Sequence, residues 1–303
     1  MRRLYQSIFV ILGVTMVVFL ILHIAGDPVQ LFLPPGASTE MIEEYRQALG
    51  LNDPIWVQYL RFLKGLVVGD FGKSFYYNEP AMKLVMERFP ATLQLTFASM
   101  IMTIAIGFPA GIISAVMRNS KTDFVIRILA LLGQCVPVFW IGILLIILFS
   151  VKLHWLPTSG RGTFLHLLMP AFALGMYSAA TTTRLLRSSM LEILNKEYIL
   201  VARAKGLHPY FVILKHALKN AVSAVLTVLG MHIAGLLGGA VITETVFAWP
   251  GIGRLAVQSI NNRDFAVVEA VVILISVSYV TINLLVDICY AIINPRIKLN
   301  GGG

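Results

Sequence analysis

The chain has 303 residues, of which 57% are hydrophobic and 13% charged, and a formal net charge of +9. Soluble domains carry about a quarter charged and about half apolar residues, so this composition excludes an ordinary soluble globular domain. The positive balance is no nucleic-acid footprint either, because the basic residues lie between long apolar runs, where they act as a topology signal.

The N-terminus, MRRLYQSIFVILGVTMVVFLILHIAGD, has the basic flank and apolar stretch of a signal peptide but no clean small-x-small cleavage site. Ile8 to Ala25 is therefore read as an uncleaved first span. The segment from Asp27 to Pro90 is the largest soluble piece and predicts short amphipathic helices. Ser38 or Thr39 caps one, with Glu40, Glu43 and Glu44 in its first turn and an end near Gly50; Asp53 caps the next, with Pro54 at its first position. These helices form a lid over the outer mouth of the bundle, a docking surface for a partner, or both.

Five further spans are predicted at Ala91–Met117, Ile128–Val151, Phe164–Thr183, Ala221–Thr243 and Ala270–Val286. Each approaches or exceeds the roughly 17 to 25 residues a spanning helix needs, and barrel-type alternation is absent. The expected fold is an all-α integral membrane protein of about six transmembrane helices, in one membrane domain over residues 1–300. Gly301, Gly302 and Gly303 are a frayed tail or an expression remnant. Gly107 and Gly111, and the group Ala234, Gly235, Gly238 and Gly239, have the small-xxx-small spacing that lets helix backbones approach closely in lipid. They pack within the chain, line a pathway or meet a second subunit. Pro109, Pro137 and Pro170 are candidate kink positions. Cys135 and Cys289 sit in apolar runs and are packing residues, with no metal-ligand spacing.

With the N-terminus inside, the inner segments hold fourteen basic residues and the two short outer loops hold four: Lys152, Arg161, Arg254 and Arg263. That asymmetry predicts cytoplasmic termini.

The most informative inner stretch is Arg184 to Asn220, RLLRSSMLEILNKEYILVARAKGLHPYFVILKHALKN. A helix should end at Gly206, the usual left-handed stop, and restart at Pro209, giving helix, tight turn and helix. Ala202, Ala204 and Gly206 place small residues where a partner surface could press close, ringed by Arg203, Lys205, Lys215 and Lys219.

The segment EYILVARAKGL…HALKNA resembles the cytoplasmic coupling motif of binding-protein-dependent ABC importer permeases, in the variant of the peptide/nickel group. The general motif places an acidic-Ala-Ala triplet a fixed distance before a glycine. Leu200, Val201 and Ala202 occupy the triplet here, so only Ala202 and Gly206 match the general form, a departure shared by the peptide/nickel variant. GDP at Gly26 to Pro28, the run Leu49 to Phe75, the run Gly238 to Phe265 and the closing INPRIK are similar to the same group, in the same order along the chain.

The resemblance implies a type I importer permease that pairs with a second homologous permease. Two cytoplasmic ATP-binding subunits would hold the coupling element of residues 196–220, and an extracytoplasmic binding protein would deliver solute. ATP binding would draw the Glu197 to His216 elements together and open the pathway outward, with hydrolysis resetting it. The implied coupling residues are Glu197, Val201, Ala202, Arg203, Ala204, Lys205, Gly206 and His216. The chain has no GxxxxGK[ST] string, so it cannot supply ATP chemistry itself. No cofactor is expected on it; ATP and Mg belong to the ATPase subunits. The expected location is a bacterial or archaeal cell membrane, the inner one in a Gram-negative organism. Cargo is expected to be peptide, with nickel or a metal chelate as the alternative.

Several single residues are candidates for the pathway or outer gate. His232 lies mid-span, where an ionisable group is a functional-site hypothesis by default, weighed against an imidazole hydrogen-bonded to a neighbouring helix. Glu244 and Glu269, with Arg254, Arg263 and Asp264 between them, form either a structural ion-pair cluster or a charged rim around the re-entrant stretch of residues 244–265. Trp249 and Pro250, with Gly251 and Gly253, suit a sharp turn with an interfacial aromatic. Asp287 is expected to pair with an inner cation. No histidine pair has ligand spacing, which disfavours a metal site. An ion-coupled secondary transporter, the remote alternative, would need inverted repeats and mid-depth ionisable groups, and the chain has no evident repeat and few such groups; an enzyme would need a catalytic constellation at one depth, and none is evident.

Overall fold

The computed structural model describes residues 2–24, 37–48 and 50–293. Gly26 to Pro28, the INPRIK run beyond Ile293 and the glycine tail lie outside the described residues, as do the side chains of Asp287 and Cys289. Twelve helices are described: α1 Arg2–Ile24, α2 Thr39–Ala48, α3 Ile55–Val68, α4 Ala81–Val116, α5 Lys121–Cys135, α6 Val138–Leu145, α7 Phe164–Leu194, α8 Glu197–Ala204, α9 Pro209–Phe211, α10 Lys219–Val246, α11 Ile252–Asn261 and α12 Phe265–Ile293. α6 runs on into a π-helical segment, Ile146–Lys152, and α9 into another, Val212–Leu218.

α4, α7 and α12 are each long and apolar enough to cross a membrane, and two bent helix pairs bring the number of candidate spans among the described residues to five. α1 adds a shorter apolar stretch, Ile11–Ile21. The span expected at Ile128–Val151 is in fact broken. α5 and the α6 segment meet at 107° around Val136 and Pro137. Pro137 has no N–H to continue the ladder, and its ring forces Val136 into an extended conformation (φ −81°, ψ 128°), so the helix stops and restarts. Pro170 sits inside α7, which continues past it.

The chain divides into two compact units, 1–92 with 250–280, and 93–249 with 281–303. In the first, Phe71, Leu84 and Val85 pack with Ile252, Leu255, Val267 and Val271 in one apolar core. α3 lies against α1, where the Phe19 ring is 5.3 Å from that of Tyr59 and the Thr15 hydroxyl is 3.1 Å from the Tyr59 hydroxyl. Ser38 caps α2, its hydroxyl accepting from the Met41 N–H at 3.3 Å, and the helix is followed by Gly50 at φ +66°. Asp53 does not cap α3: Pro54 is the capping residue, without a side-chain bond, and the Asp53 carboxylate pairs with Arg61 two turns on.

In the second unit the small-residue spacing of α4 does what its pattern implies. A methyl group at Gly107 would stand 3.0 Å from the Ala179 carbonyl oxygen, and one at Gly111 2.9 Å from the Leu186 Cβ, so α4 and α7 touch backbone to backbone. Gly175 on α7, not among the glycines singled out above although Ala171 and Ala179 stand four residues to either side, is tighter still: its Cβ would meet the Ser99 carbonyl oxygen at 2.6 Å. Backbone cannot swing aside as a side chain can. Gly175→Ala should therefore cost about 1–3 kcal/mol of overpacking, seen as a lower melting temperature of the purified complex than for Gly107→Ala.

Candidate functional site

The segment between α7 and α10 folds as a helical hairpin. α7 ends at Leu194; Asn195 and Lys196 break it, and α8 begins with Glu197 in its first turn, where a carboxylate complements the helix dipole. α8 stops as expected. Lys205 donates to the Val201 carbonyl at 3.0 Å, Gly206 to Arg203 at 2.9 Å and Leu207 to Ala202 at 3.3 Å, while Gly206 takes φ +76°. His208 then caps α9, its Nδ1 accepting from the Tyr210 N–H at 3.3 Å, and Pro209 occupies the first helical position.

The two arms bury Ile199 and Ala202 on one side and Val212 and Ala217 on the other. Ala202 therefore faces inward and packs the hairpin, whereas its sequence position suggests a contact for a partner. Ala204, Lys205, Gly206 and Arg203 are exposed, as is Val201, and among the described residues nothing but the glycine's own chain neighbours lies within 4 Å of where a Gly206 Cβ would stand. Glu197 is exposed too; His216 is half-buried, and its carbonyl accepts from the Asn220 side chain at 2.7 Å. Tyr198, Leu200, Tyr210 and Phe211 are exposed apolar side chains on the same hairpin, the last two edge-to-face at 5.7 Å. Sequence reasoning misses these aromatics, although they flank the coupling motif. Together with Val201 and Leu207 they give the hairpin an apolar surface bordered by Arg203 and Lys205, the composition of a protein contact with a polar rim.

The hairpin hangs from α7, which a buried ion pair fixes to its neighbours. Asp123 is 0% exposed and receives both arms of the Arg187 guanidinium at 2.8 Å, the Ser114 hydroxyl at 2.5 Å and the Asn119 N–H at 3.0 Å. Arg127 lies 3.5 Å away. Three segments, the end of α4, the turn after it and the start of α5, are thus tied through one carboxylate to α7, two turns before the hairpin. In the sequence Arg187 counts only as an inner positive charge.

The outer candidates fall in both units. In the second, Glu244 is buried and the chain turns sharply after α10: Trp249 donates to the Glu244 carbonyl at 2.8 Å and Ala248 takes φ +48°. The turn is as expected, but the Trp249 ring is 1% exposed, so it is a packing residue and not an interfacial one. Phe247 is pinned beside α6, with a Gly142 Cβ position 3.1 Å from its ring. In the first unit, Pro250 is half-buried and precedes α11, whose first residue, Ile252, donates to the Thr92 hydroxyl at 2.9 Å. Asp264 is buried and takes its hydrogen bonds from the Ser74 hydroxyl and the Tyr76 N–H, so it anchors the 70–80 loop to the start of α12, and among the described residues it pairs with no cation. Arg254 is half-buried on α11.

His232 sits mid-way along α10 with its ring edge-on to Tyr177 at 6.3 Å, and its Nε2 is buried without a hydrogen-bond partner. Among the described residues no neighbouring helix offers that Nε2 a hydrogen bond. Met231, Gly235, Gly238 and Ile242 are exposed along one face of α10, and Gly235 and Gly238 have open space where a side chain would be. Among the described residues these two glycines have no packing neighbour within reach of a side chain. Among the described residues no group of three or more His, Cys, Asp or Glu is arranged to hold a metal ion.

The family model described as binding-protein-dependent transport system inner membrane component matches residues 107–299, and the corresponding N-terminal model matches residues 1–96. The chain is 41% identical to the dipeptide transport system permease protein DppB of Alkalihalophilus pseudofirmus, over 98% of each chain. It is also 41% identical to the glutathione transport system permease protein GsiC of Escherichia coli, over 98% of this chain and 97% of that one. Among solved structures, an inward-facing form of the MetNI methionine ABC transporter matches with a TM-score of 0.62 at 21% identity, covering 70% of this chain and 97% of the other, a likeness of fold. The chain is thus a multi-pass membrane protein with the type I permease fold, and it belongs to the binding-protein-dependent transport system inner membrane components, as a permease subunit of peptide-group ABC importers.

Proposed function

We propose that this subunit forms half of a pathway for peptides and that the hairpin from Glu197 to His216 is its lever against two cytoplasmic ATPases. The observation that carries the coupling role is the exposed apolar surface of Tyr198, Val201, Leu207, Tyr210 and Phe211 around the open left-handed turn at Gly206. A buried side of Ile199, Ala202, Val212 and Ala217 makes the hairpin stiff enough to pass force to α7 and α10. A second homologous permease completes the pathway, and an extracytoplasmic binding protein loads it, by analogy with the relatives' transport systems. ATP and Mg act on the ATPase subunits, the termini lie in the cytoplasm, and the location is the cell membrane of a bacterium or archaeon. Peptide cargo is favoured because relatives named for dipeptide and for glutathione transport both align over nearly the whole chain.

Expression with the genomic neighbours, purification in mild detergent and reconstitution with the binding protein would test this. Two ATPases and a second permease should co-purify, and a radiolabelled dipeptide should enter vesicles only with ATP and binding protein present. A chain that transports alone, driven by an ion gradient, would overturn the reading.

A further inference from the structure

α7 carries two arginines one turn apart with opposite fates. Arg187 points into the chain and is neutralised by Asp123, whereas Arg184 is exposed and makes no ion pair among the described residues. It is nonetheless held in place. Its guanidinium donates to the Gln134 side-chain oxygen, the Gln134 amide donates to the Thr181 hydroxyl at 2.8 Å, and that hydroxyl donates to the Tyr177 carbonyl at 3.0 Å. Tyr177, Thr181 and Arg184 follow the spacing that places them on one helix face. Tyr177 is half exposed, and His232 stands edge-on beside it with the unpartnered Nε2. A polar file therefore runs along a span from its middle to its inner end, inside the second unit.

Such a file is costly in lipid and unnecessary for packing. A cation that merely marks the inner side of the membrane needs no fixed orientation, since it reaches the interface on its own flexible stem. Here a neutral amide fixes the guanidinium and leaves its full charge available, which preorganises it for a planar anion. We infer that Tyr177, Thr181 and Arg184, with Gln134 and His232, form the solute-facing stripe of this subunit, and that Arg184 receives a carboxylate of the passing solute. This rests on the peptide reading above, since every peptide with a free C-terminus brings a carboxylate. The hydroxyls, the amide and the imidazole offer neutral hydrogen bonds above it, which hold a solute weakly enough for release.

The test uses the complete importer with its binding protein, reconstituted both in neutral phosphatidylcholine vesicles and in vesicles containing anionic phosphatidylglycerol. Losing a charge-assisted hydrogen bond should lower dipeptide uptake per ATP hydrolysed by about tenfold in Arg184→Gln, in both lipids, while Arg184→Lys, which keeps the charge but loses the planar fork, falls between Gln and the wild type. Complex yield and ATP hydrolysis stimulated by loaded binding protein should stay as in the wild type. A loss confined to anionic vesicles would make Arg184 a lipid-phosphate anchor and overturn the inference, as would unchanged uptake, or a parallel loss of uptake and assembly. A wild-type complex that imports no peptide would overturn the cargo reading and this inference together, whereas normal wild-type import with an indifferent Arg184→Gln overturns this inference alone.

Discussion

Gly206→Trp should abolish dipeptide uptake by the reconstituted importer and leave ATP hydrolysis unresponsive to loaded binding protein, while the chain still enters the membrane in normal amount. Two effects combine. The glycine takes φ +76°, a conformation that costs an L-residue about 1–2 kcal/mol, and the indole would project into open space at the tip of the hairpin, where among the described residues nothing but the glycine's own chain neighbours lies within 4 Å of the Cβ position. The backbone cost alone strains the turn, and Gly206→Ala isolates it. The added bulk does not disturb the hairpin's own core, because Ile199, Ala202, Val212 and Ala217 lie on its other side. It meets only what docks there. A large loss in the tryptophan variant with a small one in the alanine variant would locate the ATPase contact at this tip; equal losses would put the effect in the turn itself, and full activity in both would move the coupling surface elsewhere.

That turn is legible in the sequence because its signals are local. A glycine at a helix end and a proline three residues on specify stop and restart through φ alone, and the fold has both in place. The spans are legible for a similar reason, since apolar length is a sum over neighbours in sequence. What escapes the sequence is whatever depends on which side of a helix faces which neighbour. Ala202 and Ala204 look alike as letters, yet one packs the hairpin and the other is exposed. Trp249 has the character of an interfacial anchor, yet it follows a turn whose N–H returns to the Glu244 carbonyl, and its side chain is buried. Gly175 stands four residues from both Ala171 and Ala179, a spacing that marks the helix face but not the neighbour, and its role is set by the Ser99 carbonyl on another helix. Pro137 reads as a kink, but a 107° break also needs Val136 to have nowhere helical to go. Asp123 and Arg187 lie 64 positions apart, so their pairing has no local trace.

Removing that pair should have the largest effect on the protein's survival in the membrane. Asp123→Ala leaves the Arg187 guanidinium, 19% exposed as a side chain, without its carboxylate, and strands the Ser114 hydroxyl and the Asn119 N–H as well. Breaking a buried pair from one side typically costs about 3–5 kcal/mol, because the remaining charge stays desolvated. The expected result is a severe fall in the amount of folded protein recovered from membranes, accompanied by faster proteolysis at the 117–120 turn, whose Asn119 (φ +64°) is held by Asp123. Arg187→Met alone should also be harmful, since it leaves the buried carboxylate with two neutral donors and the more distant, half-exposed Arg127 at 3.5 Å. The double variant Asp123→Leu/Arg187→Met removes both charges and should recover much of the yield. It should not recover transport to the same extent if the hairpin is the proposed lever, because the pair also fixes α7 two turns before it. If the double variant is as poorly folded as either single one, the pair is not a coupled unit, and the hydrogen bonds from Ser114 and Asn119 carry the structural role instead.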